Sequence, residues 1–344
     1  MLLQNFQPHN VLITGGAGFI GANFIHYLLK HNKTVNLYNL DCLTYAGSKD
    51  YLMDLPESQR HYFIQGNICD AALVIAILQR YHIDTIVHFA AESHVDRSIS
   101  GPAPFIQTNV VGTFTLLEAA KQYWQVEKKW QENHCRFHHI STDEVFGTLK
   151  KEDEPFSEKT PYAPNSPYSA SKAGSDHLVR AYWHTYRLPM TISNCSNNYG
   201  PFQHPEKFIP TIIRACSTGQ PIPIYGDGSN IRDWLYVEDH CAAILTILEH
   251  GQVGETYTIG GNTELSNLAL ATKICGLMDQ YVPQKQPHHT FIQFVSDRLG
   301  HDWRYAINHT KITETLGWQP RHSIESGLRK TLDYYLPMPF SQNI

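Results

Sequence analysis

The chain has 344 residues, 42% of them hydrophobic and 17% charged, with a formal net charge of -5. That length allows one large domain or two fused lobes around a sizeable core. A mildly acidic chain has no basic footprint for nucleic acid, and no apolar run approaches the length that crosses a bilayer, so neither nucleic acid nor membrane is expected as a partner.

Val11-Leu12-Ile13-Thr14 predicts a first strand, and Ala22 to Lys30, with Phe24, Ile25, Leu28 and Leu29 at helical spacing, predicts a helix. Between them lies Gly15-x-x-Gly18-x-x-Gly21. Glycine there permits a tight turn and close backbone approach to a pyrophosphate, and the helix start offers unpaired N–H groups. A glycine-rich turn can also serve packing alone. Thr34 to Leu40 predicts a second strand ending at Asp41, about twenty residues past the last glycine. A carboxylate there accepts hydrogen bonds from ribose hydroxyls and repels a 2′-phosphate, which points to NAD rather than NADP.

His61 to Ile64, Thr85 to Ala91 and Phe137 to Ile140 predict further strands, with helices at Ala71 to Arg80 and Val110 to Tyr123 between them. Such alternation implies an α/β fold with a Rossmann-like, doubly wound parallel sheet. Past Tyr199 the alternation loosens and Pro, Gly and aromatic residues become frequent, as in PIPIYGDGSNIRDWLYVEDH. We expect residues 1–198 to form the NAD-binding domain. Residues 199–344 are expected to form mainly a smaller, interleaved substrate-binding lobe that closes over a ligand.

Two motifs carry chemistry. Ser141-Thr142-Asp143-Glu144-Val145-Phe146-Gly147 places adjacent carboxylates just past an apolar strand, where different surroundings can divide acid from base work. Tyr168 and Lys172 stand four apart in a segment, Ser166 to Tyr186, that reads as helical after Pro164 and Pro167. An ammonium beside a phenol lowers the phenol's pKa and makes it usable as a base. A Tyr-Lys pair is also common on surfaces. The start MLLQNFQPHN lacks the pattern of a signal peptide, so a cytoplasmic location is expected. The seven cysteines stand singly and read mostly as core residues. No metal is expected, because His134 and His138 fall where strand spacing would not converge on an ion.

The glycine pattern, the Tyr-x-x-x-Lys pair and Asn197-Asn198-Tyr199-Gly200-Pro201 resemble extended short-chain dehydrogenase/reductases that act on nucleotide sugars. FAAESHVDRSI, HHISTDEVFG, EKFIP, GDGSNIRDWLYVEDH and DRLGHDWRYAIN further resemble the dTDP-glucose 4,6-dehydratase family over nearly the whole chain. The resemblance implies that Phe19, Ile20, Asp41, Cys42, Leu43, Thr44, Asn67, Ile68, Thr108 and Asn198 line the NAD site. Phe89, Ala90, Ala91, Glu92 and Ser93 would run along it, with Tyr168 and Lys172 at the nicotinamide end. Ser93, Thr142 and Asn197 would touch the sugar. Lys207, Phe208, Pro223, Ile224, Tyr225, Arg232, Asn267, Asp297, Arg298, Leu299, Gly300 and His301 would hold the nucleotide and its diphosphate. Arg232 could instead form a salt bridge to Asp233 or Glu238. Asn67, Phe146, Leu299 and Asn308 depart from the family's usual residues, and none removes a catalytic group.

The implied chemistry is a redox-neutral loss of water. Tyr168, with Lys172 and Thr142, takes the proton of the 4-hydroxyl as carbon 4 gives up hydride. Glu144 removes the acidified carbon 5 proton, and protonated Asp143 donates to the hydroxyl leaving carbon 6. The expected product is a 4-keto-6-deoxy sugar nucleotide of the kind that feeds rhamnose-type deoxysugars. The apolar helices Val110 to Tyr123 and Ser166 to Tyr186 imply a homodimer, as in the resembled family, although core packing demands much of the same apolarity. Three rival readings stand beside this one. A nucleotide-sugar 4-epimerase would not need Asp143 and Glu144, a dehydratase for a UDP- or GDP-hexose would differ in a few loop contacts, and a non-catalytic NAD-binding regulator would not need the catalytic set.

Overall fold

The computed structural model describes residues 6–56, 58–297 and 300–337. In the first part β1 (Asn10–Thr14), β2 (Asn36–Asp41), β3 (His61–Gln65), β4 (Thr85–His88), β5 (Arg136–Thr142) and β6 (Met190–Cys195) are strands. They alternate with α1 (Phe19–His31), α2 (Ala71–Arg80), α3 (Val95–Ser100), α4 (Ala103–Phe105), α5 (Thr113–Ala120) and α6 (Pro167–Tyr186). The later part supplies β7 (Asn197–Tyr199), α7 (Phe208–Thr218), β8 (Ile222–Tyr225), β9 (Ile231–Tyr236), α8 (Val237–His250) and β10 (Thr256–Ile259). It ends with β11 (Glu264–Ser266), α9 (Asn267–Tyr281), β12 (Ile292–Val295), α10 (Thr310–Leu316) and α11 (Ile324–Tyr335).

Seven parallel strands form the main sheet in the order β3-β2-β1-β4-β5-β6-β10. The order reverses between β1 and β4, and the strands' C-terminal ends open there into the crevice where such sheets bind ligands. Helix α8 covers one face, its Val237, Cys241, Ile244 and Leu248 buried with Phe24, Ile25, Leu28 and Leu29 of α1. The other face packs on α2, α5 and α6 through Val74, Leu78, Leu116, Leu117 and Val179. Each such side chain contributes roughly 1.5–3 kcal/mol by leaving water. Because β10 and α8 come from beyond residue 199, the chain returns to the main sheet partway through building a second core. That core joins α7, α9 and α11 to β8 and β9 around Ile213, Ile222, Ile224, Ile274, Leu328 and Leu332. Its strands make two small sheets, β11-β9-β7 and β12-β8.

Two local differences from the sequence expectation bear on the site. The strand predicted over Thr85 to Ala91 ends at His88, because Phe89 onward leaves the sheet and lines the crevice. The helix predicted over Val110 to Tyr123 belongs to a longer run in which α4, a π segment (Ile106–Gly112), α5 and a second π segment (Lys121–Glu127) follow one another. A π segment shifts side-chain direction, and here it carries Asn109. Asn109 Nδ2 donates to Glu92 O (3.0 Å) and Ser171 Oγ (2.8 Å), while its Oδ1 accepts from Glu92 N (2.9 Å), so it pins the loop after β4 to α6.

All seven cysteines are free, and five of them, Cys135, Cys195, Cys216, Cys241 and Cys275, are buried. Among the described residues no helix is long and apolar enough to cross a membrane, and no group of His, Cys, Asp and Glu is arranged to hold a metal ion.

Candidate active site

The C-terminal ends of β1, β2, β4, β5 and β6 bring Thr14, Asp41, His88, Thr142 and Cys195 to one rim, and the register places Thr14 opposite His88 and Thr142 opposite Cys195. Above that rim is a cleft of about 380 Å³. Its floor begins at the glycine turn. Gly15 has φ +73°, and a Cβ there would lie 2.6 Å from Ala90 N; at Gly21 it would lie 2.3 Å from Gly15 O. No side chain caps the start of α1 after Gly18, which leaves backbone N–H groups facing the opening.

Asp41 is anchored by its own loop. Its Oδ2 accepts from Ala17 N (2.9 Å) and its Oδ1 from Leu43 N (2.8 Å), and the carboxylate still lines the cleft. Lys172 and Lys207, the lysines that line the cleft, donate to Ile140 O (2.7 Å) and Ser93 O (3.3 Å) rather than approaching Asp41. A carboxylate with spare lone pairs suits ribose hydroxyls and disfavours a 2′-phosphate. The residues therefore fit a dinucleotide of the NAD type. Asn198 is held by three contacts, from its Nδ2 to Ser196 O (3.0 Å) and Cys195 Sγ (3.4 Å) and from its Oδ1 to His240 Nδ1 (2.9 Å).

Every residue expected at the NAD site lines this cleft except Leu43, which adopts φ +55° and contributes the backbone N–H that fixes Asp41. Ser93, Thr142, Asp143, Glu144, Asn197 and Lys207 line it as well.

The carboxylate turn follows from the end of β5. Thr142 caps the 3₁₀ turn Asp143–Phe146 by accepting from Glu144 N (3.2 Å), and its hydroxyl reaches Asp143 Oδ1 (3.3 Å). Asp143 is only 2% exposed, and its Oδ2 is buried with no hydrogen-bond partner. Burial, then the neighbouring Glu144 charge, pushes its pKa well above the carboxylate range, which favours the protonated form that can act as a donor. Asn197 Oδ1 is also buried without a partner, an acceptor ready for a ligand hydroxyl.

Helix α6 starts in a capping box between Ser166 and Ser169, with Pro167 in its first turn, and this sets Tyr168 and Lys172 at the cleft. The expected lowering of the Tyr168 pKa is not what the site produces. Its phenol is held well above the usual value, first by burial and then by the Glu144 charge, with a smaller opposing effect from a hydrogen bond with Thr142. The ammonium does not reverse this, because Lys172 Nζ is directed at Ile140 O, and burial lowers its own pKa while Asp176 raises it.

Apart from Lys207, the described residues expected to hold the nucleotide lie outside the cleft lining. Phe208, the first residue of α7, stacks on Trp234 with ring centroids 6.3 Å apart. Pro223 and Tyr225 are exposed on β8, whereas the Ile224 side chain is 0% exposed in the second core and is not open to a ligand. Asn267 donates its N–H to Asn230 O (2.9 Å). His301 Nδ1 lies 2.6 Å from Asp297 Oδ1 and its ring meets the Tyr225 ring edge-on at 6.2 Å, with Gly300 beside it. Arg298 and Leu299 lie outside the described residues.

Arg232 donates to the carbonyls of Ile231 (2.7 Å), Asp302 (2.9 Å) and Trp303 (3.4 Å), and its guanidinium lies 4.3 Å from the Tyr305 ring centroid. Its charge is felt at Asp143, where it favours ionisation, so the second cluster adjoins the carboxylates. Asp233 accepts from Gly261 N (2.9 Å) and Thr263 N (2.8 Å), and Glu238 pairs with Lys330 (3.1 Å), so these two carboxylates have other partners.

Sequence reasoning missed Tyr45, His94, Cys195, Gln203 and His204 in the lining, together with Tyr305 and Asn109 behind it. His94 and Tyr305 lie within the quoted segments FAAESHVDRSI and DRLGHDWRYAIN, and Cys195 lies two residues before Asn197, so these three had a signal in the sequence.

The chain is similar to known proteins over most of its length. The family model described as GDP-mannose 4,6 dehydratase matches residues 12–331. The dTDP-glucose 4,6-dehydratase of Xanthomonas campestris pv. campestris (strain B100) is 53% identical over 327 residues, 94% of this chain and 92% of that protein. Among solved structures, the dTDP-glucose 4,6-dehydratase of Bacillus anthracis str. Ames in complex with NAD superposes with a TM-score of 0.85 at 42% identity, over 96% of this chain and 97% of that one. A UDP-glucose 4-epimerase from Thermotoga maritima, with UDP-glucose, reaches a TM-score of 0.82 at 26% identity, over 95% of this chain and 99% of that one.

Proposed function

This chain belongs to the dTDP-glucose 4,6-dehydratase family, and from that premise we propose that it converts dTDP-glucose to dTDP-4-keto-6-deoxyglucose and water, with NAD held in the cleft. The observation that carries the reading is a buried Asp143, its carboxyl biased toward the protonated form, beside Glu144 on a turn that shares its cleft with Tyr168. An epimerase needs no such pair.

When bound, NAD accepts hydride from carbon 4, returns it to carbon 6 and brings a positive ring that acts to lower a nearby phenol's pKa. Tyr168, hydrogen-bonded with Thr142, takes the proton of the 4-hydroxyl. The ketone so formed acidifies carbon 5, and Glu144 removes that proton. Asp143 gives its proton to the hydroxyl as the bond from carbon 6 to oxygen breaks, and water leaves. Two protons are thus taken up, at Tyr168 and Glu144, and two are given, to the departing hydroxyl and finally to carbon 5. Glu144 is restored by giving its proton to carbon 5, while Tyr168 ends protonated and Asp143 ionised, so a proton passed from Tyr168 to solvent and one from solvent to Asp143 return the set to its starting state.

Residues 1–198 are read as the part that mainly holds NAD and residues 199–344 as the part that mainly holds the nucleotide sugar. Lys207, Arg232, Asn267, Asp297, Arg298 and His301 are assigned to the nucleotide and its diphosphate, with arginine the natural partner for phosphate oxygens. The protein is proposed to work in the cytoplasm as a homodimer. Ile99, Ile106, Val111, Phe114 and Tyr186, exposed on α3, α5, α6 and the π segment between α4 and α5, support a partner on that face.

The test is incubation with dTDP-glucose, followed by mass measurement of the nucleotide sugar. Loss of one water is expected, with UDP- and GDP-hexoses giving much less. An unchanged mass, or inversion at carbon 4 without loss of water, would sink the reading.

A further inference from the structure

Tyr168, Lys172 and Asp176 stand at four-residue spacing on one buried face of α6. The first two act in the proposed reaction, and the third is a fully buried carboxylate with no part in it yet. A buried charge is costly unless donors converge on it. Here they do: Oδ2 of Asp176 accepts from the Ser141 hydroxyl (2.8 Å), the Tyr162 hydroxyl (2.8 Å) and Asn194 Nδ2 (3.3 Å), and Oδ1 lies 3.1 Å from His139 Nε2.

Three of these partners lead toward the reacting turn. Ser141 precedes Thr142 at the end of β5. Asn194, on β6, also donates to Thr142 O (3.0 Å). The Tyr162 ring meets the Phe146 ring edge-on at 5.2 Å, at the far end of the Asp143–Phe146 turn. Lys172 is one helical turn away, and the Asp176 charge opposes the effect of burial on its ammonium.

We propose that Asp176 is a positioning residue for the dehydration, holding α6, the end of β5 and the carboxylate turn in one register and serving as the buried counterion of Lys172. The proposal rests on the reaction assigned above. The titratable groups facing Asp176 are Lys172 and Arg180 from α6, His139 from β5 and Tyr162 from the preceding loop, with Cys195 of β6 beside Lys172. Burial holds His139 neutral, with a pKa of about 4, and pushes the Cys195 thiol up to about 12. Removing the negative charge therefore lowers the pKa of Lys172 further and leaves His139 neutral.

The experiment measures kcat and KM for water loss from dTDP-glucose across pH in wild type, Asp176→Asn and Asp176→Glu. Asp176→Asn is expected to lose roughly 100-fold in kcat with KM little changed, as for misplaced catalytic groups, and to show its alkaline limb at lower pH. Asp176→Glu keeps the charge, so its kcat should fall while the limb stays in place. An unchanged kcat in Asp176→Asn, or a loss equal at every pH, overturns the proposal. If Asp176→Asn is not recovered folded, Tyr162→Phe removes one donor and keeps the ring; a several-fold fall in kcat is expected, and a wild-type rate overturns the proposal. Wild type without water loss refutes the reaction itself, and the role of Asp176 falls with it.

Discussion

Asp143 and Glu144 are adjacent in sequence, yet the turn after β5 gives Asp143 a closed environment that favours the protonated form of its carboxyl. If Glu144 is the base at carbon 5, Glu144→Gln keeps the shape without the proton acceptor. Mixing that variant with dTDP-glucose should then accumulate bound reduced cofactor, seen by its absorbance, while water loss slows by roughly 100-fold or more. Water loss at the wild-type rate would remove Glu144 from the mechanism. The raised Asp143 pKa also has a sign for stability. Above the unfolded pKa, near 3.8, the unfolded state releases a proton that the folded state retains, so folding loses stability as pH rises until the folded pKa is passed. Asp143→Asn lacks that loss. Its Tm relative to wild type should therefore rise from pH 4 to pH 8, and a difference independent of pH would contradict the protonated assignment.

The turn between β1 and α1 is the element on which cofactor retention depends. Gly15 sits at φ +73° with the Ala90 backbone against it, so a methyl group cannot be accommodated by a side-chain shift. Gly15→Ala should fold with reduced stability and lose its NAD during purification. Denaturing wild type should release NAD and not NADP, which nucleotide analysis of the supernatant will show. NADP in that supernatant would refute the reading of Asp41, and full NAD retention in Gly15→Ala would refute the close approach. Helix α6 is the other element that matters, because its capping box fixes where the first turn begins and hence which side chains face the cleft.

At the scale of the whole molecule, β10 and α8 tie the later half of the chain into the main sheet. The two cores are therefore connected by packing as well as by sequence. The exposed apolar residues on α3, α5, α6 and the π segment between α4 and α5 call for a cover. Phe114, 45% exposed on α5, is a suitable probe. If the proposed homodimer uses this face, Phe114→Asp should shift the protein from dimer to monomer in sedimentation while leaving its circular dichroism unchanged. A wild type already monomeric at micromolar concentration would refute the dimer.

The alternation of strands and helices, the glycine turn and the two catalytic motifs were legible in the chain because each depends on neighbours a few residues away: β1, α2 and β3 fall within a residue of where their periodicity places them. The Tyr168 pKa was not legible, since it is decided by burial and by Glu144, which is 24 positions earlier in number but adjacent in the cleft. The same holds for the π segment that aims Asn109, for Ile224 turning into the second core, and for the convergence of Ser141, Tyr162 and Asn194 on Asp176. Spacing along a helix or strand is a local property and can be read from sequence, whereas burial, electrostatic neighbours and hydrogen-bond partners are set by which distant segments the sheet order brings together.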